Sequence, residues 1–157
     1  MDRIIVNHPD QLVIDDLIDI IGDEEICRMA KFKKIFDLLP CGIEVLDEKG
    51  VVVVCNKADR EIFGVDDDAF VNFNDFEDPN VPNEILQEID KGNAFNVLLP
   101  FDFSKISYTS KYKNCIKYLS VRGIPLYTKH QTIKGYFIVL VDHTFYHQQH
   151  PILQDRS

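Results

Sequence analysis

Carboxylates are the most numerous side chains in this sequence that could do chemistry. They cluster twice, at Asp66–Asp68 and at Asp75, Glu77 and Asp78. Oxygen ligands of this kind suit Mg²⁺ or Ca²⁺. Both clusters fall in predicted loops beside short helices, where acidic side chains more often cap a helix and stay in solvent. The sequence therefore predicts a capping role for them, with a cation site as the alternative.

Three histidines near the C-terminus form a second candidate group. His143, His147 and His150 are spaced so that they would share one face of a helix, and such a face could bind a transition metal. Pro151 would end this helix early, and no carboxylate lies among the three histidines. We therefore predict no metal ligand here and interpret residues 146–157 as a C-terminal tail.

The cysteines indicate neither a metal site nor a disulfide framework. Cys27, Cys41, Cys55 and Cys115 form no CxxC pair and lie in or beside apolar sequence, which is typical of reduced, mostly buried thiols. The first residues lack the apolar run of a secretory signal. Together these features predict a cytoplasmic location.

Motifs of enzymes are missing from the sequence. It contains no G-x-S-x-G, G-x-x-x-x-G-K-[ST], G-x-G-x-x-G or H-E-x-x-H pattern, so we predict no catalytic residues and a protein that is not an enzyme. The 157 residues carry a net charge of −9 from 17 basic and 26 acidic residues, which disfavours nucleic acid as a partner. No apolar run approaches the roughly 18–20 residues that a membrane span needs, so we expect no membrane contact.

The elements that would position these groups begin with a helical stretch over 9–39. Its first part carries an amphipathic stripe at Leu12, Leu17, Ile18 and Ile21. We predict that residues 1–33 form a helical cap and that this stripe is the contact of a homodimer.

Beyond Pro40 the pattern changes from helical to extended. Two strands joined by a turn at Gly50 precede about 40 residues of short helices, and three longer strands follow. Consecutive strands usually pair as hairpins, so the order predicts an α+β fold with a five-stranded antiparallel sheet. The predicted segments are the strands 42–46, 51–55, 95–103, 115–126 and 133–141 and the helices 57–63, around 70, and 82–91.

Four segments in this order resemble the PAS domain, a sensor module of signalling proteins. They are Leu-Leu-Pro-Cys-Gly-Ile at 38–43, the hairpin 46–58 with its asparagine, Ile-Phe-Gly at 62–64, and 135–144 with its closing Asp-His-Thr. The resemblance covers residues 34–145, which we take as the predicted domain. It implies a module that binds a small ligand or partner and dimerises. Such a module signals through its flanking helices to an effector, such as a two-component histidine kinase or a transcription regulator.

The resemblance leaves the ligand unassigned. Haem-binding members place a histidine on the helix that here spans 82–91, which contains none. Flavin-binding members with a reactive cysteine carry it in the helical segment, and residues 57–92 contain no cysteine, while Cys55 lies in the strand before. The cofactor is therefore unknown, and neither haem nor a covalently reacting flavin is expected.

Alternate side chains of a strand lie on the same face of the sheet, and this alternation together with the resemblance predicts a ligand pocket. Phe73 would help to close it, and Asn56 is either its polar anchor or simply the cap of the following helix. The alternative is that the same side chains fill a solid core, so that the domain is a ligand-free interaction and dimerisation module. The predicted pocket residues are Asn56, Phe63, Phe70, Phe95, Val97, Leu119, Val121, Tyr136, Ile138 and Leu140.

Overall fold

The structure, a computed structural model, describes residues 12–13, 26–66, 70 and 72–149, with side-chain surroundings from Phe32 onward. Of the predicted dimer stripe, Leu17, Ile18 and Ile21 lie outside these residues. Most of the predicted acidic loop 66–68 does as well.

Six strands and four α-helices make up the described chain. Two turns of 3₁₀ helix, Asp75–Glu77 and Phe103–Lys105, lie between them. In chain order the elements are β1 (Leu12–Val13), α1 (Ile26–Leu38), β2 (Gly42–Asp47), β3 (Val52–Cys55), α2 (Lys57–Phe63), α3 (Asn83–Asp90), β4 (Phe95–Asp102), β5 (Ile116–Tyr127), β6 (Ile133–Asp142) and α4 (Thr144–Gln149).

The main sheet is five-stranded and antiparallel, which confirms the predicted α+β fold. Its strands lie in the order β3-β2-β6-β5-β4, so the first hairpin is inserted beside the last strand. Pro100 lies in β4, which pairs only with β5 among the described strands. An edge position suits proline, because it has no N–H group to donate to a second neighbouring strand.

One strand differs from the prediction. Leu12 and Val13 were expected in a helix, but they form β1, which pairs in parallel with Leu126 and Tyr127 of β5. The reason is that β4 covers β5 only as far as Gly123. The edge of β5 beyond that residue has free hydrogen-bonding groups that a short apolar segment can satisfy.

Local sequence explains where the helix α2 begins and ends. Asn56 is its N-cap and accepts a hydrogen bond from the Asp59 N–H, while Gly64 ends it in the left-handed conformation with φ of 66°. A hydroxyl and an ammonium group bind the carbonyls at its C-terminus: Ser110 donates to Phe63 O at 2.6 Å and Lys117 to Ile62 O at 2.6 Å. Both ends of this helix are therefore fixed to the rest of the domain.

The helix α1 runs without a break across the predicted domain boundary at residue 33 and ends before Pro40, as the proline requires. The predicted limits 1–33, 34–145 and 146–157 stay a prediction. No helix in the described residues is both long and apolar enough to cross a membrane.

The core lies on one face of the sheet, beneath the helical segment that joins β3 to β4. In β4 the buried positions alternate with more exposed ones, which is the period-2 pattern predicted from the sequence. Aromatic rings dominate the core's middle, where Phe63 stacks on Phe70 at 5.2 Å and meets Phe101 edge-on at 5.1 Å. The helical segment thus covers the inner face, as predicted.

Candidate functional site

A cavity of about 70 Å³ lies between the inner face of the sheet and the helical segment. An apolar cavity of about 150 Å³ can hold one benzene molecule, so this smaller space suits only a small guest. The lining residues are Glu44, Leu46, Phe63, Phe70, Asp75, Phe76, Asp78, Asn80, Val81, Ile85, Ile89, Phe95, Leu99, Phe101, Leu119, Val121, Ile138 and Leu140.

Seven of the ten residues predicted for the pocket line this cavity. They come from α2, the loop after it and three strands of the sheet. Whether a ligand occupies the space stays a prediction. The seven residues are Phe63, Phe70, Phe95, Leu119, Val121, Ile138 and Leu140.

The other three predicted residues lie outside the cavity wall. Val97 and Tyr136 are buried in the surrounding core, where the Tyr136 ring meets the cavity-lining Phe76 edge-on at 5.2 Å. Asn56 has no exposed surface and acts as a structural tie. The helix cap was the alternative role considered for it, and the structure shows this role.

The side-chain amide of Asn56 holds three elements together. Its Oδ1 accepts hydrogen bonds from Ile43 N at 2.9 Å and Asp59 N at 3.0 Å. Its Nδ2 donates to Phe36 O at 3.0 Å and Cys41 O at 2.9 Å. The start of α2, the start of β2 and the end of α1 therefore meet at one side chain.

A second tie joins α1 to α2 at Asp37. The Asp37 carboxylate accepts a hydrogen bond from Lys57 N at 2.9 Å, and its Oδ1 lies 3.7 Å from Arg60 Nη2. Arg60 also donates to Cys55 O at 3.0 Å. A carboxylate at the first residue of a helix interacts favourably with the helix dipole. Asp37 therefore attaches the C-terminal end of α1 to the first turn of α2.

The feature that sequence reasoning missed is a group of buried carboxyls at the cavity. Glu44, in the middle of β2, is only 2% exposed and lines the cavity, and Asp59 in α2 has no exposed surface. Asp75 and Asp78 reach the cavity from the loop before α3. One signal was available in the sequence. Glu44 lies inside an apolar strand, where it shares one face with Gly42 and Leu46, both of which are buried.

Burial controls the protonation of these carboxyls. Loss of solvation is the first cause that raises the pKa of Glu44, Asp59 and Asp75 well above the usual value. Asp59 and Asp78 further raise the pKa of Glu44, and Glu44 further raises the pKa of Asp75. Burial and the neighbouring carboxyls therefore favour the protonated forms of this group.

Several buried polar atoms at this site have no hydrogen-bond partner among the described residues. In the described part of the chain, no N–H or hydroxyl group donates to Glu44 Oε1 or to either carboxyl oxygen of Asp59. The buried hydroxyl of Tyr108 also lacks a partner there, and burial raises the pKa of that phenol, with Asp78 as the next cause. Unmatched buried polar atoms are costly, which makes this group a candidate for contact with a ligand.

Asp78 and Asn80 complete the polar edge of the cavity. Asp78 Oδ1 accepts from Asn80 N at 2.8 Å, while the Asn80 side chain bridges to both backbone groups of Asp102 at 2.8 and 3.1 Å. Desolvation also raises the pKa of Asp78, partly offset by its hydrogen bonds to Asn80. The loop that bears Asp75 and Asp78 is thereby anchored to β4.

Metal-ligand groupings are absent from residues 32–66, 70 and 72–149, where no three His, Cys, Asp or Glu residues stand together in a suitable arrangement. His147 instead stacks on Tyr118 of β5, with the ring centroids 3.5 Å apart. His150, the third predicted member of the histidine face, lies outside the described residues.

No protein family and no curated protein matches this sequence. Solved structures do match it in fold. An RNA-binding light-oxygen-voltage receptor superimposes with a TM-score of 0.64 at 14% identity, over 85% of this chain and 38% of the receptor. The chain therefore spans well under half of that receptor.

Two isolated domains match over most of their own length. The PAS domain of an HTR-like protein from Haloarcula marismortui gives a TM-score of 0.55 at 13% identity, over 73% of this chain and 90% of that domain. The PAS domain of BvgS from Bordetella pertussis gives 0.53 at 19% identity, over 82% and 95%.

Proposed function

We propose that this chain, which has the fold of a PAS domain, is a sensory module that reports the occupancy of its internal cavity through the helix α1. The observation that carries the proposal is Glu44, a buried carboxyl that lines the cavity and whose pKa is raised by burial and by the neighbouring carboxylate of Asp59 in α2. The role proposed is binding and relay rather than catalysis.

The relay rests on three contacts in series. A guest that changes the position or protonation of Glu44 acts on Asp59, whose backbone N–H is held by Asn56. Asn56 in turn binds the carbonyl of Phe36 near the end of α1. A displacement at the cavity therefore has a short route to the flanking helix, from Glu44 to its neighbour Asp59 and then through the hydrogen bonds of Asn56.

Filling the cavity with a side chain tests this relay without knowledge of the ligand. Val121→Phe enlarges a half-buried residue of the cavity wall, at a stability cost of about 1–3 kcal/mol for overpacking. We expect amide hydrogen exchange to change in Ile26–Leu38 as well as around the cavity. Val141→Phe, on an exposed position of β6, is the matched control and should leave α1 exchange unchanged. A Val121→Phe protein in which only the cavity walls respond would rule out the relay.

The proposed module also dimerises, and α1 offers an apolar surface for it. Phe32, Ile35 and Leu38 are 50%, 61% and 81% exposed and recur at intervals of three residues, so they lie along one side of the helix. A second copy of the chain is the proposed occupant.

Charge placed on this surface should dissociate the dimer. We expect Ile35→Glu to lower the sedimentation-derived mass toward that of one chain of 18.2 kDa at micromolar concentration, because a buried unpaired carboxylate opposes association. Leu98→Glu, at an exposed position of β4, is the control and should have the same sedimentation-derived mass as the unaltered protein. A wild-type protein that stays monomeric at all concentrations would contradict the proposal.

The proposed output is an effector, such as a two-component kinase or a transcription regulator, that senses the state of α1 or the dimer. The proposed place of action is the cytoplasm. Its support is chemical: Cys41, Cys55 and Cys115 are free thiols, which suits a reducing compartment.

A further inference from the structure

The cavity has an acidic end and an apolar body. Glu44, Asp75 and Asp78 line it together, and Asp78 raises the pKa of both Glu44 and Asp75. The rest of the wall is almost entirely aromatic and aliphatic, with Phe63, Phe95 and other rings. A ligand that matches this wall has a polar head with hydrogen-bond donors and a short hydrocarbon chain.

A second observation points to a ligand at the acidic end. Glu44 is 2% exposed, and its Oε1 has no N–H or hydroxyl donor among the described residues. The charged side chains that act on Glu44 are Asp59, Asp75 and Asp78, all acidic. Carboxyl groups gathered away from water are stable only with protons or with a positive charge that replaces them.

We propose that the cavity binds a small primary ammonium compound. Its N–H groups donate to Glu44 and Asp75, and its alkyl chain lies among the aromatic and aliphatic side chains of the wall. This inference rests on the proposed sensory function and specifies the chemical class of the ligand.

Other ligand classes match the wall less well. An anion would meet three carboxyl groups at the only polar end of the cavity. A bare metal ion would need at least three suitably placed ligands, and the described residues offer no such group. The N–H groups of an ammonium ion can donate to the carboxyl oxygens at one end of the cavity. The faces of phenylalanine rings attract cations as well.

Binding of an ammonium ion should release a proton from the carboxyl group. The titratable and charged groups around Glu44 come from every neighbouring element. Asp75 and Asp78 lie in the loop, Asp59 and Arg60 in α2, Cys55 in β3 and Tyr108 in the segment before β5. If one proton leaves as the cation enters, affinity rises by up to about tenfold per pH unit until the cluster has lost that proton. An alkylammonium keeps its own proton to about pH 10, like a lysine side chain.

Three probes of equal size separate charge from shape. We would titrate the isotope-labelled full chain with n-butylammonium, 1-butanol and propanoate, each with five non-hydrogen atoms, and follow amide chemical shifts by NMR. Butylammonium should shift the amides of Glu44, Asp75 and other cavity residues and bind about tenfold or more tightly than butanol at pH 7. Propanoate should not bind.

Matched variants test the role of the carboxyl group. Glu44→Gln should weaken butylammonium about tenfold and leave butanol unchanged, whereas Glu88→Gln, at a half-buried glutamate outside the cavity wall, should change neither. If Glu44→Gln does not fold, the affinity of the unaltered protein for butylammonium is measured between pH 5 and 8 instead. An affinity that does not change over this range overturns the proposal.

Failure of this inference differs from failure of the sensory function. Butanol that binds in the cavity as well as or better than butylammonium overturns the ammonium specificity and leaves the cavity a binding site. Absence of cavity shifts with every probe overturns the ammonium proposal. It counts against the sensory function only if Val121→Phe also fails to alter hydrogen exchange in α1.

Discussion

Replacing Asn56 with alanine is expected to lower the free energy of unfolding by about 4 kcal/mol. The amide has no exposed surface and makes four hydrogen bonds to backbone groups, two as acceptor and two as donor. Alanine removes all four and leaves buried backbone groups of α1, β2 and α2 without partners. Each such group costs about 1–3 kcal/mol, in part relieved by water.

Two further variants show whether the loss comes from these bonds. Asn56→Asp keeps the acceptor oxygen for Ile43 N and Asp59 N but places a buried carboxylate oxygen against Phe36 O and Cys41 O. Its loss should therefore be at least as large as that of alanine near pH 7 and should shrink in acid, where protonation restores a donor. Asn74→Ala removes a comparable cap that makes one side-chain bond, to Phe76 N at 3.0 Å, and should cost about 1 kcal/mol. Urea unfolding followed by circular dichroism measures all three. Equal losses for Asn56→Ala and Asn74→Ala would contradict the role assigned to Asn56.

The sequence predicts the strands and helices of this domain well because the patterns that indicate them are local. The turn glycines, the cap at Asn56, the stop at Gly64 and the alternation in β4 each depend on a few neighbouring residues. The seven cavity residues that were predicted follow from strand parity and from the resemblance. Local patterns of this kind survive folding because the tertiary structure agrees with them.

The rest depends on contacts between distant segments. Leu12–Val13 become a strand only because β5 extends beyond β4. Asp75 and Asp78 look like solvated loop residues in the sequence, yet the loop folds so that they reach the cavity beside Glu44. Val97 shares the parity of Phe95 but packs into the solid part of the core. No pattern within a few residues encodes these outcomes.

The buried carboxyls should also give the protein an unusual dependence of stability on pH. Burial raises the pKa of Glu44, Asp59 and Asp75 above the values of 4.5 and 3.8 expected for unfolded glutamate and aspartate. Above about pH 4 the folded state therefore binds more protons than the unfolded state. Unfolding then releases protons, so stability falls as the pH rises toward the folded pKa values.

The size of this effect follows from the number of protons retained. Each proton held by the folded state and lost on unfolding changes the free energy of unfolding by about 1.4 kcal/mol per pH unit. One proton kept between pH 5 and 7 thus makes the protein about 3 kcal/mol less stable at pH 7 than at pH 5. A protein whose carboxylates are paired with cations behaves in the opposite way, since it loses stability in acid.

Glu44→Gln isolates the contribution of this cluster. Glutamine has the shape of glutamate but no titrating proton, so the stability of the variant relative to the unaltered protein should rise by up to about 1.4 kcal/mol per pH unit from pH 5 to pH 8. The difference between the two proteins cancels the contribution of every titratable group that they share. Urea unfolding at pH 5, 6, 7 and 8 measures it, with Glu88→Gln as the control of equal charge change. Parallel stability curves for Glu44→Gln and the unaltered protein would show that Glu44 carries no extra proton in the folded state. The proton that the raised pKa of Glu44 assigns to the folded state would then be wrong, and with it the exchange of that proton for an ammonium ion.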